Sequence, residues 1–552
     1  MQNIHSPLQA QLVQWLVAPG ATVAAGDVLV ILEAMKMEHE IRAQQPGCVG
    51  ELFFQAGEAV AEGELLGVLM PVSDAAAQPE AAAPIPQTPP PLDKRSDLQK
   101  LQARLAFTHD AARPEAVAKR HAQGLRTARE NIAALCDPDS FVEYGALAVA
   151  AQSRRRSADD LMRNTPADGM VTGIGCVNGQ RVVVMAYDFT VLAGTQGMRN
   201  HQKTDRMLGV ALQNKLPVVL FAEGGGGRPG DVDVAIVAGL NLATFASFAR
   251  LNGRVPVLGV VAGRCFAGNA ALLGCCDVII ATRGSNIGMG GPAMIEGGGL
   301  GRYRPEDIGP SDVQHASGVI DVLVDDEAAA VDAARRCLGY FQGRWPDWTA
   351  PDPVALRDVL PRNRLRSHDS RSVAQGLADT GSLLWLREGF GAGIHTGLGR
   401  IEGRAVGFLV NNPQHLGGAI DPDAADKAAR FMQLCNAHGL PLVSLVDTPG
   451  FMVGPEVEAR AQVRHVSRLF VVAAALRVPF FSVVLRKGYG LGAMGMTAGG
   501  FHAPSFTVAW PGAEFGAMGL EGAVRLGYRQ ELEAVPEGSQ RDALFDELLA
   551  RQ

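Results

Sequence analysis

No Cys-x-x-Cys pair occurs in this chain, and its eight cysteines (Cys48, Cys136, Cys176, Cys265, Cys275, Cys276, Cys337, Cys435) are scattered over 552 residues. That spacing supports neither a zinc ribbon nor a disulfide framework and points to reduced thiols. Basic residues are in the minority, 50 against 57 acidic ones, and the net charge of -7 argues against a nucleic-acid footprint. No Gly-x4-Gly-Lys-Ser/Thr stretch is present, so Asp447-Thr448-Pro449-Gly450, which copies a GTPase switch, has no phosphate loop to work with. Glu38, His39 and Glu40 alternate along a strand pattern and assemble no site by themselves, so no metal is expected. The start of the chain lacks the basic-then-apolar profile of a secretory signal, and a cytoplasmic location is expected. One long uncharged run, 488–513, is broken by glycines, two prolines and His502, and reads as a looped segment, not a membrane span.

What is present in excess is glycine, 65 residues, beside 47% apolar residues, in a chain long enough for three or four domains. The first feature to explain is Glu33-Ala34-Met35-Lys36-Met37. It stands between two half-motifs 37 residues apart: Gly20, Val23, Gly26, Leu29 and Leu32 recur as Gly57, Val60, Gly63, Leu66 and Leu69, and Asp27 is answered by Glu64. The glycines punctuate short apolar runs as turns punctuate strands, which predicts two similar layers with Lys36 on the hairpin that joins them. A lysine there presents its amine to solvent and to a modifying enzyme, flanked by the soft apolar surface of Met35 and Met37. With the His5-Ser6-Pro7 entry and Pro46-Gly47, the quintet resembles the biotinyl carrier domain of biotin-dependent carboxylases, a small all-β flattened barrel, over 1–72. The resemblance implies biotin on Lys36, with Met35 and Met37 as its neighbours, and a biotin protein ligase as partner.

Residues 73–93 turn to Pro, Ala and Gln, too poor in large apolar groups to form a core, and read as a semi-rigid linker. A helical arm is expected to follow, on Leu98, Leu101 and Leu105 and then Leu125, Ala128, Ile132 and Leu135, ended by Asp137-Pro138-Asp139-Ser140. The body then repeats. Thr172-Gly173-Ile174-Gly175 with Gly179 returns 224 residues later as Thr396-Gly397-Leu398-Gly399 with Gly403, and Pro217–Phe221 returns as Pro441–Leu445. One residue of drift later, Pro256–Val261 is answered by Pro479–Val484. Apolar runs of strand length alternate with helical stretches in each copy (208–214 and 234–250; 427–438 and 463–476), which predicts two tandem α/β domains, 94–345 and 346–552.

Two Gly-rich stretches carry chemistry. Glu223-Gly224-Gly225-Gly226-Gly227-Arg228 follows a strand and exposes backbone N–H groups as an oxyanion hole requires. Gly263-Arg264-Cys265-Phe266-Ala267-Gly268-Asn269-Ala270 is a strand-to-helix turn whose first N–H groups can face an anion, and its duplicate is Arg486-Lys487-Gly488-Tyr489-Gly490-Leu491-Gly492-Ala493. Together with Asp447–Phe451, Ala509-Trp510-Pro511-Gly512-Ala513-Glu514 and Phe141-Val142-Glu143-Tyr144, these motifs resemble the carboxyltransferase subunit of acyl-CoA carboxylases, the propionyl-CoA and methylcrotonyl-CoA carboxylase β group, over about 95–530.

That resemblance implies two crotonase-like domains, an acyl-CoA site mainly on the first, a biotin site mainly on the second, and a dimer or hexamer. It places a thioester-facing backbone pair on Gly225 and Gly226 and a biotin-facing pair on Leu491 and Gly492. Arg486, Lys487 and Tyr489 are then expected at biotin, and Gly227, Arg228, Gly268, Asn269 and Met494 at acyl-CoA. The family's Ser-Gly-Gly-Ala-Arg is Gly224–Arg228 here, and its Tyr-Gly-Gly-Ala-Tyr-Asp is Tyr489–Met494; backbone donors tolerate such changes, while the acyl pocket feels them. His201, Lys203 and Arg206 could meet a phosphate or form a solvated helix face. ATP-driven carboxylation of biotin has no module among these segments, so a separate biotin carboxylase subunit is expected. Two other readings stay open: the carboxyltransferase of a biotin-dependent decarboxylase, and an inactive biotinylated scaffold, against which the intact loops in both halves weigh.

Overall fold

The computed structural model describes residues 2–34, 37–71, 96–233, 240–363 and 366–552, without the side chain of Met37. The chain divides into two compact units, Met1–Pro91 and Leu92–Gln552.

The first unit is two four-stranded sheets. One orders Gln2–His5, Leu65–Met70, Gly47–Leu52 and Thr22–Val23; the other orders Met37–Arg42, Val28–Ala34, Ala10–Trp15 and Ala59–Val60. Each sheet takes two strands from either side of residues 35–36, so the layers are similar but interleaved, and neither half-motif is a layer by itself. The duplication extends to hydrogen bonds. Asp27 accepts from Ala24 N–H at 2.8 Å and Glu64 accepts from Ala61 N–H at 2.6 Å, the reason a carboxylate recurs there. Leu12, Leu29, Leu32, Leu66 and Leu69 fill the interior.

The second unit holds both copies of the longer repeat. In the first copy a seven-stranded sheet runs Val322–Val324, Val278–Thr282, Val257–Val261, Val218–Phe221, Gln180–Tyr187, Met170–Val177, Val142–Tyr144, with parallel pairing up to Gln180–Tyr187 and antiparallel pairing beyond. The second copy runs Leu384–Leu386, Ile394–Ile401, Arg404–Asn411, Leu442–Thr448, Phe480–Tyr489, Phe506–Ala509, and Glu514–Gly516 also pairs with Phe480–Tyr489. The repeated Thr-Gly-x-Gly is the first strand of a hairpin in each copy. The turns are Asn178-Gly179 and Glu402-Gly403, all four residues at positive φ between 50° and 76°, the conformation a two-residue hairpin with the native twist requires. One core cluster, from Ile132 through Leu258 and Leu338 to Leu409, Met432 and Met496, belongs to both copies, so the two halves share an interior.

The helical arm is made of three α-helices, Ser96–Ala106, Pro114–His121 and Ala128–Leu135; the first buries no residue, while the last, started by a Thr127/Glu130 capping box, buries Ile132 and Leu135. Pro114 and the loop around Gly124 interrupt the pattern. Two expectations need revision. The run 488–513 is not a loop throughout: it contains the helix Gly490–Met496 and the strand Phe506–Ala509. Of the helix expected over 234–250, Thr244–Ala249 is observed and 234–239 lie outside the described residues.

A buried lysine recurs on equivalent helices, Lys203 on Met198–Asn214 and Lys427 on Pro422–Ala437. Lys427 is 1% exposed and donates from Nζ to Phe390 O at 2.9 Å. Burial lowers its pKa from 10.5 to about 7. The unfolded chain therefore binds more protons than the folded one between these values, and this residue's contribution to stability rises with pH across that window. Thermal midpoints measured from about pH 7 to pH 9 should rise less steeply in Lys427→Met than in the parent chain; equal slopes would mean the ammonium is better compensated than its one carbonyl indicates.

Candidate active site

In the first unit, Val28–Ala34 pairs with Met37–Arg42 so that Ala34 faces Met37 and Glu33 faces Glu38. In the chain these two strands are joined by residues 35 and 36. Met35 and Lys36 lie outside the described residues, as does the side chain of Met37.

In the second unit the Gly-rich loop leaves the C-terminal end of Val218–Phe221, the end at which open α/β sheets bind ligands. It is tied on two sides. Gly224 donates to Arg264 O (2.7 Å) and accepts from Phe266 N–H (2.9 Å), while Gly226 O accepts from Gln196 N–H (2.6 Å) and Arg228 N–H donates to Gln196 O (2.9 Å). Gly225 and Gly227 are exposed, and their N–H groups have no partner among the described residues. Gly226 is buried at φ +80°; a Cβ on it would stand 2.7 Å from Ala267 Cβ and 3.3 Å from Gly268 N. The loop thus lies against the start of the helix Gly268–Gly274, whose first N–H groups point away from the helix body. Asn269 fixes the contact: its Oδ1 accepts from Gly226 N–H (3.1 Å) and its Nδ2 donates to Gly194 O (3.1 Å) and Glu223 O (2.7 Å).

Buried ion pairs hold the loop's two ends. Arg120, from the helix Pro114–His121, grips Glu223 with both terminal nitrogens, at 2.6 and 2.5 Å. Burial pushes the Glu223 carboxyl up while Arg120 opposes that shift. Arg228 is 4% exposed; it pairs with Asp168, and its Nε and Nη2 donate to Thr195 Oγ1 (3.1 Å) and Thr195 O (2.8 Å).

The second copy repeats this construction. Ile420 N–H donates to Gly450 O (3.1 Å) and Met452 N–H to Ile420 O (2.9 Å), 224 residues on from the bonds at Gln196. The helix Gly490–Met496 takes the place of Gly268–Gly274, and Gly492 stands where Asn269 does. A Cβ on Gly492 would meet Gly450 C at 2.5 Å and Phe451 N at 2.8 Å, so loop and helix touch backbone to backbone. Gly450 N–H is instead received by Thr448 Oγ1 (3.1 Å). Leu491 is 60% exposed.

Beside this helix a cavity of about 310 Å³ is lined by Arg486, Lys487, Tyr489, Glu514, Ser367 and Gly417, among others. Asp447, fully buried, organises its cations: Oδ2 accepts from Arg486 Nε (3.0 Å) and Nη2 (2.9 Å), and Oδ1 accepts from Lys487 N–H (3.2 Å) with Lys487 Nζ at 3.7 Å. Burial lowers the Lys487 ammonium from its ordinary value and Asp447 opposes the shift. Tyr489 OH donates to Glu514.

The structure thus brings together Gly225, Gly226, Gly227, Gly268 and Asn269 in one copy, and Arg486, Lys487, Tyr489, Leu491 and Gly492 in the other. Met494 sits half-buried in the latter helix. Several expected roles change. Arg228 and Asn269 are buried with their polar atoms bonded to protein, so they position the loop and do not reach acyl-CoA. Gly226 N–H is already received by Asn269 and is not a free donor. Of the possible phosphate ligands, His201 and Lys203 are buried: His201 Nδ1 meets Thr244 Oγ1 at 2.9 Å with its pKa lowered to about 4 by burial, and Lys203 Nζ donates to Ala167 O and Met170 O. Sequence reasoning gave no role to Asp447, quoted as part of the Asp447–Phe451 motif, and none to Arg120, 103 positions from its partner in the chain. Glu514 lay in a quoted motif without a role.

Two family profiles match. One, described as the carboxyl transferase domain, covers residues 119–551, and one described as biotin-requiring enzyme covers 2–69. The methylmalonyl-CoA carboxyltransferase 12S subunit of Propionibacterium freudenreichii subsp. shermanii is 32% identical over 76% of this chain and 81% of its own. The biotin-dependent long chain acyl-coenzyme A carboxylase beta4 subunit of Mycobacterium tuberculosis is 32% identical over 78% of this chain and 82% of its own. Among solved structures, a single-chain, multi-domain long-chain acyl-CoA carboxylase is similar over 100% of this chain at 52% identity and a TM-score of 0.78, and this chain spans about half, 53%, of its length. Transcarboxylase 12S, solved as a hexamer with methylmalonyl-coenzyme A and methylmalonic acid bound, is similar at 30% identity and a TM-score of 0.72, over 82% of this chain and 87% of its own. Two crotonase-like copies with matched N–H clusters, behind a domain of the biotin-requiring type, place this chain in the carboxyl transferase family of biotin-dependent acyl-CoA carboxylases.

Proposed function

We propose that this chain moves a carboxyl group from biotin carried on Lys36 to the α- or vinylogous carbon of a long-chain acyl-CoA. The observation that carries the reading is the pairing of two equivalent loop-and-helix constructions, each exposing backbone N–H groups, with a carrier hairpin on the same polypeptide. One construction is read as the thioester site and the other as the biotin site.

The cavity at Arg486, Lys487 and Tyr489 is of the size ligand pockets begin at, about 300 Å³, and its guanidinium, ammonium and phenol suit a polar bicyclic urea. Biotin, when carboxylated, supplies the carboxyl group and then the nitrogen base that takes the substrate's α-proton. The N–H groups of Leu491 and Gly492 are assigned to the ureido oxygen, with Lys487 and Tyr489 orienting the ring. In the first copy Gly225, Gly227 and Gly268 N–H are assigned to the thioester oxygen, where fixed dipoles stabilise the charge that develops without having to reorganise. Their role is positioning and electrostatics, so no side-chain acid or base is required. The long-chain assignment is supported by the 52% identical long-chain carboxylase and by the apolar side chain beside the helix start, where the Phe245 ring stands 3.3 Å from the place of a Gly268 Cβ. Self-association as a dimer or hexamer, a biotin protein ligase and a separate biotin carboxylase as ATP-using partner complete the proposal, in a cytoplasmic setting consistent with eight unpaired cysteines. Among the described residues no helix is long and apolar enough to cross a membrane.

Lys36→Arg should fold as the parent chain does, carry no biotin by intact-mass spectrometry after co-expression with a ligase, and lose ATP-dependent carboxylation in the presence of a biotin carboxylase. Biotin found on another lysine would overturn the carrier assignment; a screen over acyl-CoA chain lengths that favoured propionyl-CoA would overturn the substrate class. Asn269→Ala leaves Gly226 N–H buried without an acceptor, which typically costs about 1–3 kcal/mol of stability. Its kcat/KM for acyl-CoA should fall while KM for free biotin stays unchanged, because the second copy is untouched. Equal losses for both substrates would show that the two sites are not separate.

A further inference from the structure

Behind the biotin cavity lies a histidine that the account above does not use. His368 is 7% exposed, and neither of its ring nitrogens has a hydrogen-bond partner among the described residues. Its neighbours in the chain belong to the cavity: Ser367 lines it, and Arg366 O accepts from Arg486 Nη1 at 2.6 Å. His368 Nδ1 stands 3.9 Å from Asp447 Oδ2, too far for a hydrogen bond and close enough to become one after a small rotation. The charged groups facing the ring are Arg486 and Lys487 from the strand Phe480–Tyr489, Asp447 from Leu442–Thr448, and Asp369 beside it, which is paired with Arg371 at 2.8 Å. A buried imidazole bonded to nothing is a poor filler, since its two polar atoms lose water without compensation. Beside a carboxylate that already serves two cations, it is suited to compete for that carboxylate once protonated.

We propose that His368 is a positioning residue for carboxyl transfer: neutral, it leaves Asp447 to Arg486 and Lys487 at the biotin cavity, and protonated, it draws Asp447 away, so that Arg486 loses its carboxylate and the Lys487 ammonium keeps only its bond to Gly417 O. The inference rests on the assignment of that cavity to biotin. Burial, reinforced by Arg486 and Lys487, lowers the imidazole from its ordinary value, against Asp447 and Asp369, so the neutral form prevails near neutrality and the change falls on the acid side.

The test is transfer from a 2-carboxyacyl-CoA to free biotin by the full chain, followed as decarboxylated acyl-CoA from about pH 5 to pH 8. The parent chain should lose kcat/KM for biotin below the ordinary histidine range of about 6.5. His368→Phe should keep its rate at the alkaline end within about threefold and show its acid limb at least about one pH unit lower. His368→Asn, polar and non-titrating, should shift the limb in the same way and carries the test if the phenylalanine variant does not fold. A uniform loss at every pH with the limb in place, or a parent profile without that limb, would overturn the positioning role and leave the enzyme assignment intact. No transfer by the parent chain from any carboxylated acyl-CoA would overturn the function itself and this inference with it.

Discussion

The contact on which the second unit depends is a close approach, made twice, between the loop that ends a central strand and the start of the helix that comes after the neighbouring strand. Gly226 against Ala267 and Gly268, and Gly492 against Gly450 and Phe451, each leave no room for a side chain. The approach sets helix N–H groups beside loop N–H groups. Because the donors belong to the main chain, side-chain identity at Gly227 or Leu491 can drift without removing them, whereas the two crowded glycines cannot.

Such a contact needs anchoring, and the copies achieve it differently. The first uses an amide, Asn269, to receive the N–H of Gly226, and brackets its loop with Arg120–Glu223 and Arg228–Asp168. The second has no side chain at Gly492; Thr448 receives the equivalent N–H, and a single carboxylate, Asp447, gathers Arg486 and Lys487. Buried ion pairs seldom add much net stability because desolvation offsets their attraction, yet removing one partner leaves a stranded charge. Their value here is geometric: they define where the loops stand. The second copy also turns its cations toward a cavity, while those of the first are sealed beneath the loop, and this asymmetry is what distinguishes the two sites physically.

Much of this was legible in the residues. The 37-residue repeat announced the two layers of the carrier, with matched carboxylates at positions 27 and 64, and the 224-residue repeat announced two α/β copies with matched Gly-rich loops. Local patterns carried that information because turns, caps and strands are decided by neighbours in sequence. What stayed hidden was decided by neighbours in space. Nothing around Arg120 signals Glu223, nothing at Asn269 signals Gly226, and the expectation that Arg228 and Asn269 would touch substrate failed because burial, invisible in one sequence, had already committed their polar atoms. The interleaving of the carrier's sheets was similarly beyond periodicity, which reports that strands exist and not which of them pair.

That interleaving bears on how such a domain could come into being. Each carrier sheet contains two strands from each half-motif, so a lone half would present two half-built sheets with bare edges and an open apolar face. Its natural remedy is a second copy of itself, swapped in place. The 37-residue symmetry therefore has the form of a symmetric dimer joined into one chain, with the join falling in the sequence between Val28–Ala34 and Met37–Arg42.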